Sequence, residues 1–419
     1  MSNSRVVIVG GGVIGVCCAY HLVKQGIEVV VLERGEIGAG ASYGSAGVIA
    51  PGHPPMNKPD RVKQALKRMF DSKTPLYIKP RFDPGLALWL LRFSANCTAG
   101  RLREGMRIIG PFGHATLPLF ETLVQEEELD FGYQRNGYYE FCRTEAGVKH
   151  AHNDVSLMRA QGYPAEALWE NDLCNRYRSL QDGTLGGAYY PQAAMCNPHR
   201  FVMEMASCVK RYGGTFSLGQ AATAIENRAN DVTGVRTTAG DLIEADAVVL
   251  ATGAYSLELS RALGCRLPIQ PGKGYHRDLE ISEGSAPMLE APCVLGEASV
   301  FCTPMGGVLR LAGTMEFSGL NHTMRRPRLE QLTDSASEYL QEIGTGQMRS
   351  EWCGLRPMSS DGLPILGLIP ARGRVFVATG HAMSGLTHGP VTGKLIAELV
   401  IGATPSLDIR ALDPTRFMV

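Results

Sequence analysis

The sequence predicts an α/β protein of two domains, and two observations carry that prediction. Its 419 residues exceed what one hydrophobic core of ordinary size organises. Its first 33 residues read strand, helix, strand around a glycine-rich turn.

The first strand is the apolar run Arg5 to Val9, the helix runs from Val13 to Gln25 with Gly26 as its stop, and the valine-rich second strand runs from Glu28 to Glu33. At the turn, Gly10-Gly11-Gly12-Val13-Ile14-Gly15 fits GxGxxG, and Glu33 closes the second strand. Such a unit binds a dinucleotide. Gly10 makes the tight turn, Gly12 admits the pyrophosphate to the backbone, Gly15 lets helix and strand pack, and the amides of Val13 and Ile14 open the helix whose N-terminus faces the phosphates. Glu33 is placed to accept from ribose hydroxyls.

The next residues bear on which dinucleotide binds. After Glu33 and Arg34 comes a small-residue stretch, Gly38 to Gly47, that includes Ser42, Ser45 and Ala46; it is too poor in large apolar residues for a core element and reads as a loop lying close to a ligand, or else as a linker. The chain then passes through Pro51-Gly52-His53-Pro54-Pro55 into a helical excursion instead of continuing the strand–helix alternation of a nicotinamide dehydrogenase, which favours FAD. Further on, Asn197-Pro198 caps a helix over Phe201 to Tyr212 that Gly213-Gly214 ends. A C-terminal helix is expected from Thr387 to Ile401, with Val391, Leu395, Leu399 and Val400 inward and Gly402 as its stop.

Bulk properties narrow the function. Lys plus Arg equals Asp plus Glu at 41 each, so no charge excess favours nucleic acid. The 11 cysteines are scattered without CxxC or Cys/His zinc spacing, so neither a disulfide framework nor a metal site is expected, and a cytoplasmic location fits. Arg5 to Val9 breaks into glycines without a cleavage site and is not a signal sequence. No run of 18 apolar residues offers a transmembrane helix, which leaves peripheral membrane contact open. The basic cluster Arg325-Arg326-Pro327-Arg328 reads as a solvated face, with an anionic membrane or an electron acceptor as the alternative partner.

Four stretches together resemble the FAD-dependent D-amino acid oxidase superfamily, and within it the bacterial D-amino acid and D-hydroxyproline dehydrogenases. They are Gly10 through Glu33 to Ser45-Ala46-Gly47 and Pro51-Gly52; Ala247 to Leu250 with Ala251-Thr252-Gly253-Ala254; Gly354-Leu355-Arg356-Pro357 through Asp361-Gly362-Leu363-Pro364 to Gly367; and Thr379-Gly380-His381 with Gly385-Leu386-Thr387. The resemblance implies a Rossmann-type FAD domain made of residues 1–60, 196–264 and 350–419, with a mixed-sheet substrate domain of residues 61–195 and 265–349. It also implies that Thr223, Ala224 and Ile225 lie beside the adenine, with an ordinary strand as the alternative. Thr252, Gly253, Gly354 and Gly380 would contact the cofactor. Gly385, Leu386 and Thr387 would present a helix N-terminus to negative charge on the reduced flavin, and His381 would serve chiefly through its turn.

For the substrate, Arg356 is the expected carboxylate partner, because a guanidinium pairs bidentately with a carboxylate. Tyr275, in Pro271-Gly272-Lys273-Gly274-Tyr275, resembles the family's carboxylate-binding tyrosine, with a packed aromatic as the alternative; Lys273 reads as a turn residue. His53 is placed near the substrate or at a solvent-exposed helix entry. Cys353 lies one position off the cysteine that holds flavin covalently in some sarcosine-oxidising relatives, so non-covalent FAD is expected. The implied reaction is hydride transfer from the Cα of a small D-amino acid, D-proline or hydroxy-D-proline included, to flavin N5, yielding an imine, with a quinone or another carrier as acceptor. The rival readings are a glycine or sarcosine oxidase-like enzyme and an FAD-bound subunit of a heteromeric amino-acid or opine dehydrogenase. The pocket is expected to draw on residues near 76–115 and 266–320.

Overall fold

Arg5–Val9 lies inside a six-stranded sheet, hydrogen-bonded in parallel to Glu28–Glu33 on one side and to Ala247–Leu250 on the other. The computed structural model describes residues 4–59, 62, 74–177, 179–228, 231–281, 289, 291–341, 343, 347–370 and 372–418. The sheet order is Ile365–Leu368, Val375–Thr379, Ala247–Leu250, Arg5–Val9, Glu28–Glu33, Thr215–Leu218, and only the first pair is antiparallel. Its central strands are valine-rich and buried because helices cover one face and the small sheet of strands 222–244 adjoins the other.

Helix Val13–Val23 stops two residues short of the expected end, and Gly26 follows at φ +74°. Helix Pro198–Arg211 is capped by Asn197, whose side chain accepts from Arg200 N–H, with Pro198 in the first turn. The C-terminal helix starts at Gly385, two residues earlier than expected, and ends at Val400. It crosses helix Val13–Val23 closely enough that a Cβ on Gly393 would press on the backbone of Cys17.

The second sheet has nine strands, in the order Met348–Ser359, Ile269–Glu280, Val308–Phe317, Val300–Met305, Cys293–Leu295, Tyr138–Cys142, Gly186–Tyr190, Glu166–Trp169, with Leu76–Ile78 beside the end of Val308–Phe317. Helix Arg326–Tyr339 covers one of its faces through Leu329, Leu332, Ala336 and Tyr339.

Strand Met348–Ser359 is antiparallel to Ile269–Glu280, over eleven paired positions, in the nine-stranded sheet. Two expectations need correction. Lys273 is not in a turn: it is buried in mid-strand, with Nζ 2.6 Å from Asn321 Oδ1 and 3.2 Å from Glu316. Arg328 is not on a solvated face: it is fully buried, donating to the carbonyls of Thr74, Pro75 and Met315. The helical excursion expected after Pro55 lies largely outside the described residues.

Candidate active site

Both sheets contribute to one cavity of about 1370 Å³. Val9, Leu32, Glu33, Ala251, Ala378 and Thr379 line it, all at the carboxyl ends of parallel strands, where ligands of open α/β sheets bind. The volume exceeds the roughly 300–1,000 Å³ of a usual small-ligand pocket and suits a dinucleotide with a small substrate beside it.

The dinucleotide end is built from the first βαβ unit. Gly10 takes φ +114°, and a Cβ there would collide with the carbonyl of Ala251, while a Cβ on Gly15 would overlap the carbonyl of Gly10. The Glu33 carboxylate accepts from Gly11 N–H at 2.7 Å and from Gly35 N–H at 2.9 Å, which fixes the acid at the turn. Ser42 Oγ accepts from Val13 N–H at 2.9 Å, tying the small-residue loop to the helix start. Arg310 holds the same loop from the other sheet: paired with Asp278 at 2.8 and 2.9 Å, it donates to the carbonyls of Tyr43 at 3.3 Å and Ser45 at 3.2 Å.

At the other end the C-terminal helix begins at the cavity wall, with Gly385, Leu386 and Thr387 lining it. Thr387 Oγ1 accepts from Ala50 N–H at 3.1 Å, and its carbonyl accepts from Thr116 Oγ1 at 3.1 Å. Burial holds two nearby imidazoles neutral: His381, with a further push from His388, falls to about 3, and His388 to about 4. His381 Nε2 lies 3.0 Å from Thr392 Oγ1, so the side chain joins helix to turn.

The opposite wall comes from the nine-stranded sheet. Arg356 lines the cavity over Gly274, where any Cβ would strike its guanidinium. Its Nη1 donates to Thr314 O at 2.6 Å, and among the described residues no carboxylate lies within ion-pair distance. Burial, with the positive charge of Arg328 adding to it, pulls its pKa down to about 10, so it stays cationic at neutral pH. Thr314 sits at φ +59° where the register slips between Lys273–Glu316 and Tyr275–Gly313, a bulge next to the cavity. Ala382, at φ +50°, is a second strained residue on the lining. Trp89, Leu90, Phe93, Leu355, Met358 and Phe317 make the surrounding wall apolar.

Of the expected residues, the cavity is lined by Gly10, Gly12, Val13, Ile14, Glu33, Arg34, Ser42, Ser45, Ala46, His53, Thr252, Gly253, Arg356, Gly385, Leu386 and Thr387. Arg34 stacks on Tyr255, its guanidinium 3.6 Å from the ring centre, and His53 Nδ1 lies 3.4 Å from Tyr138 Oη. His381 lines the cavity as well, whereas Tyr275, Ala224, Gly15, Gly47, Gly354 and Gly380 do not. Tyr275 is fully buried on the other face of its strand, donating to Glu316 at 2.9 Å and packing under helix Arg326–Tyr339, because Gly272, Gly274 and His276 occupy the alternate side. Ala224 lies beyond the stretch Gln220-Ala221-Ala222 that does line the cavity. Gly15, Gly47, Gly354 and Gly380 pack against backbone or side chains: Gly47 against Cys196 O, Gly354 against Trp352, Gly380 against Ile365. Cys353 is buried, raised by burial, and outside the lining, whereas its neighbour Trp352 is part of it.

Residues that the sequence reading missed form a polar lobe. Lys58 Nζ pairs with Asp154 and lies 3.3 Å from His150 Nε2, and Glu140, raised to about 7 by burial and then by the charge of Asp154, accepts from Tyr190 Oη at 3.0 Å. Nearly a hundred residues separate Lys58 from Asp154, so no local motif marks the group.

The family described as DAO: FAD dependent oxidoreductase matches residues 5–399. A D-amino acid dehydrogenase of Methylobacterium nodulans is 32% identical over 99% of both chains, and one of Xanthobacter autotrophicus is 31% identical over 99% of both. Glycine oxidase from Geobacillus kaustophilus superposes with a TM-score of 0.80 at 23% identity, over 99% of each chain. L-proline dehydrogenase from P. horikoshii does so at 0.76 and 19%, over 99% of this chain and 98% of that one. At these identities the two structures speak for the fold alone. The chain belongs to the FAD-dependent oxidoreductase family, and FAD is its cofactor. Its own residues fit that group: glycines that let backbone segments meet closely at the turn, helix-start amides at Gly12 and Ile14, an acid fixed at the end of the second strand and a second helix N-terminus at the far end of the cavity.

Proposed function

We propose that the chain oxidises a small D-amino acid, with D-proline or hydroxy-D-proline as preferred substrates, to the corresponding imine and passes the electrons to a quinone or another acceptor. Bound FAD would supply the two-electron acceptor for a hydride from the substrate Cα. The FAD domain centres on the six-stranded sheet and the substrate side on the nine-stranded sheet. The single observation that carries the reading is Arg356: a cationic guanidinium in the cavity wall, anchored by the Thr314 carbonyl and without a carboxylate of its own among the described residues. Such a group receives the substrate carboxylate and so orients the Cα–H bond. The apolar wall of Trp89, Leu90, Phe93 and Met358 excludes water from the reacting centre and favours a compact side chain.

No strong base is required of the protein, because the substrate reacts as the neutral amine and the second proton leaves from its nitrogen. The backbone amides at Gly385 to Thr387 stabilise negative charge at their end of the cavity. A primary amine gives a 2-oxo acid and ammonia after hydrolysis, and a proline gives a cyclic imine. The relatives' names support an amino acid as substrate. The described cysteines are all free and buried, which supports a reducing, cytoplasmic setting.

The test is an assay of purified holoenzyme with D- and L-amino acids, glycine, sarcosine and both proline series, following a soluble quinone analogue and oxygen uptake in parallel. D-isomers should reduce the quinone analogue faster than oxygen. Faster peroxide formation from glycine or sarcosine would replace this reading by the oxidase, and no turnover by a yellow protein would replace it by the partner-dependent subunit.

A further inference from the structure

The polar lobe around Lys58 and Asp154 is built from other elements than the Arg356 wall and the glycine turn, yet it lines the same cavity. Pairing across the nine-stranded sheet sets Glu140 level with Val294, Val294 with Phe301, Phe301 with Ala312, Ala312 with His276, and His276 with Trp352. Glu140, Val294, Phe301, Ala312 and Trp352 of that row all line the cavity. Trp352 and Arg356 have the same parity on one strand, so their side chains share a face. Glu140 therefore stands on the face of the sheet that carries Arg356, at the other end of a lined row.

The lobe is lined by groups that exchange protons. Tyr190 Oη donates to Glu140 at 3.0 Å, the Tyr190 and Tyr138 rings stack at 4.6 Å, and Tyr138 Oη lies 3.4 Å from Nδ1 of His53 on the cavity wall. Asp154 and Lys58 act on the Glu140 carboxyl by their charges, as does Glu297 from the rim. Helix Glu145–Ala160 supplies both Asp154 and His150, whose Nε2 is 3.3 Å from Lys58 Nζ and 4.0 Å from Asp154. Lys58 and Asp154 are buried, but the His150 side chain is 39% exposed, and Thr144 and Ala146 at the helix start are both exposed and part of the lining. The lobe is thus a branch that runs from the interior to the surface. Burial and then Asp154 raise the Glu140 carboxyl to about 7, against the opposing pull of Lys58 and Tyr190, so at neutral pH it can both accept and return a proton.

Oxidation of an amine calls for such a group. An amino acid arrives with its amine protonated, and the hydride leaves from the neutral amine, so a proton must leave the cavity first. We propose that this branch is the proton exit of the cavity, with Glu140 as the acceptor and His150 as the outlet to solvent. The N–H bond of the substrate ammonium breaks, the proton passes through cavity water to a Glu140 carboxylate oxygen, where an O–H bond forms, and it then leaves by way of His150, restoring the carboxylate. No electron moves in this step. The proposal rests on the catalytic reading and adds to it residues that hold neither the substrate carboxylate nor the dinucleotide.

The experiment is stopped-flow bleaching of flavin by D-proline in the anaerobic holoenzyme, with a pH indicator in weakly buffered solution. In the wild type, proton release should accompany bleaching, and the rate should fall below about pH 7 as Glu140 becomes protonated. Glu140→Gln, which keeps an acceptor for Tyr190, should bleach roughly tenfold or more slowly at neutral pH and lack that limb of the profile. Added imidazole, a small external base, should restore most of the lost rate. Should Glu140→Gln lose flavin, His150→Ala at the exposed end serves in its place, with the same slowing and the same rescue expected. The proposal is overturned if the folded variant bleaches at the wild-type rate, or if it is slow and imidazole has no effect, because the role is then structural. Wild-type protein that no amino acid bleaches would overturn the catalytic reading itself and this proposal with it.

Discussion

Arg356 Nη1 donates to the carbonyl of Thr314 at 2.6 Å, and Thr314 holds that carbonyl in place at φ +59°, a conformation costly for a β-branched residue. The bulge that imposes the strain aims the Thr314 carbonyl at the guanidinium, whose other nitrogens remain available to a ligand.

Replacing Arg356 by Met should therefore leave FAD bound and remove the carboxylate contact. Truncating one partner of a buried charge pair costs about 2–5 kcal/mol, so kcat/KM should fall by a factor of about 30 or more. Arg356→Lys should recover only part of this, because an ammonium cannot make the two-pronged contact. Steady-state kinetics with flavin content measured on each variant checks both.

Glu33 holds Gly11 N–H and Gly35 N–H at the turn that the dinucleotide must occupy. Glu33→Ala frees both amides and removes the acid at the ribose end, a loss of about 1–3 kcal/mol. FAD should then dissociate roughly ten to a hundred times more readily, measured as flavin fluorescence released on dilution.

Gly393 lets the C-terminal helix touch helix Val13–Val23 at Cys17. Gly393→Ala should cost about 1–3 kcal/mol by overpacking and separate the two helix starts that meet the cavity. Thermal unfolding should show a lower midpoint together with weaker flavin retention.

Glu127 gives a pH dependence remote from the cavity. Burial alone would raise its pKa, but hydrogen bonds from Tyr20 at 2.6 Å, Lys24 at 3.2 Å, Arg211 and Tyr212 outweigh burial and hold the carboxyl at about 2. A depressed carboxyl stabilises the fold above its unfolded pKa of about 4.3 and loses that contribution as pH falls toward 2. Glu127→Gln should lower stability by about 1–3 kcal/mol at neutral pH and flatten the melting temperature between about pH 4.5 and 2. Denaturation followed across that range measures the difference.

Much of this was legible in the sequence where local chemistry carries the signal. The turn at Gly10 to Gly15, the acid at Glu33, the Asn197-Pro198 cap and the helix start near Thr387 rest on neighbours in sequence, and each was found within two residues. Long-range pairing was not legible. The register of Met348–Ser359 against Ile269–Glu280 places Arg356 across from Gly272, and no local pattern announces it. The side that Tyr275 faces was not legible for a related reason: in a strand buried on both faces the hydrophobic pattern no longer distinguishes them. A usable signal was present in Gly272 and Gly274, whose shared parity marks the side where another chain segment comes close. Arg328 looked like a surface residue because its carbonyl partners at Thr74, Pro75 and Met315 come from other elements.

The most direct test of the central claim is the anaerobic visible spectrum of the purified protein before and after addition of small D-amino acids. The account predicts a yellow protein whose flavin absorbance is bleached by D-isomers, proline and hydroxyproline among them, and is bleached about 30 or more times more slowly in Arg356→Met at the same concentrations. A yellow protein that no amino acid reduces would contradict the assigned reaction, and a colourless one that takes up no FAD would contradict the cofactor site itself.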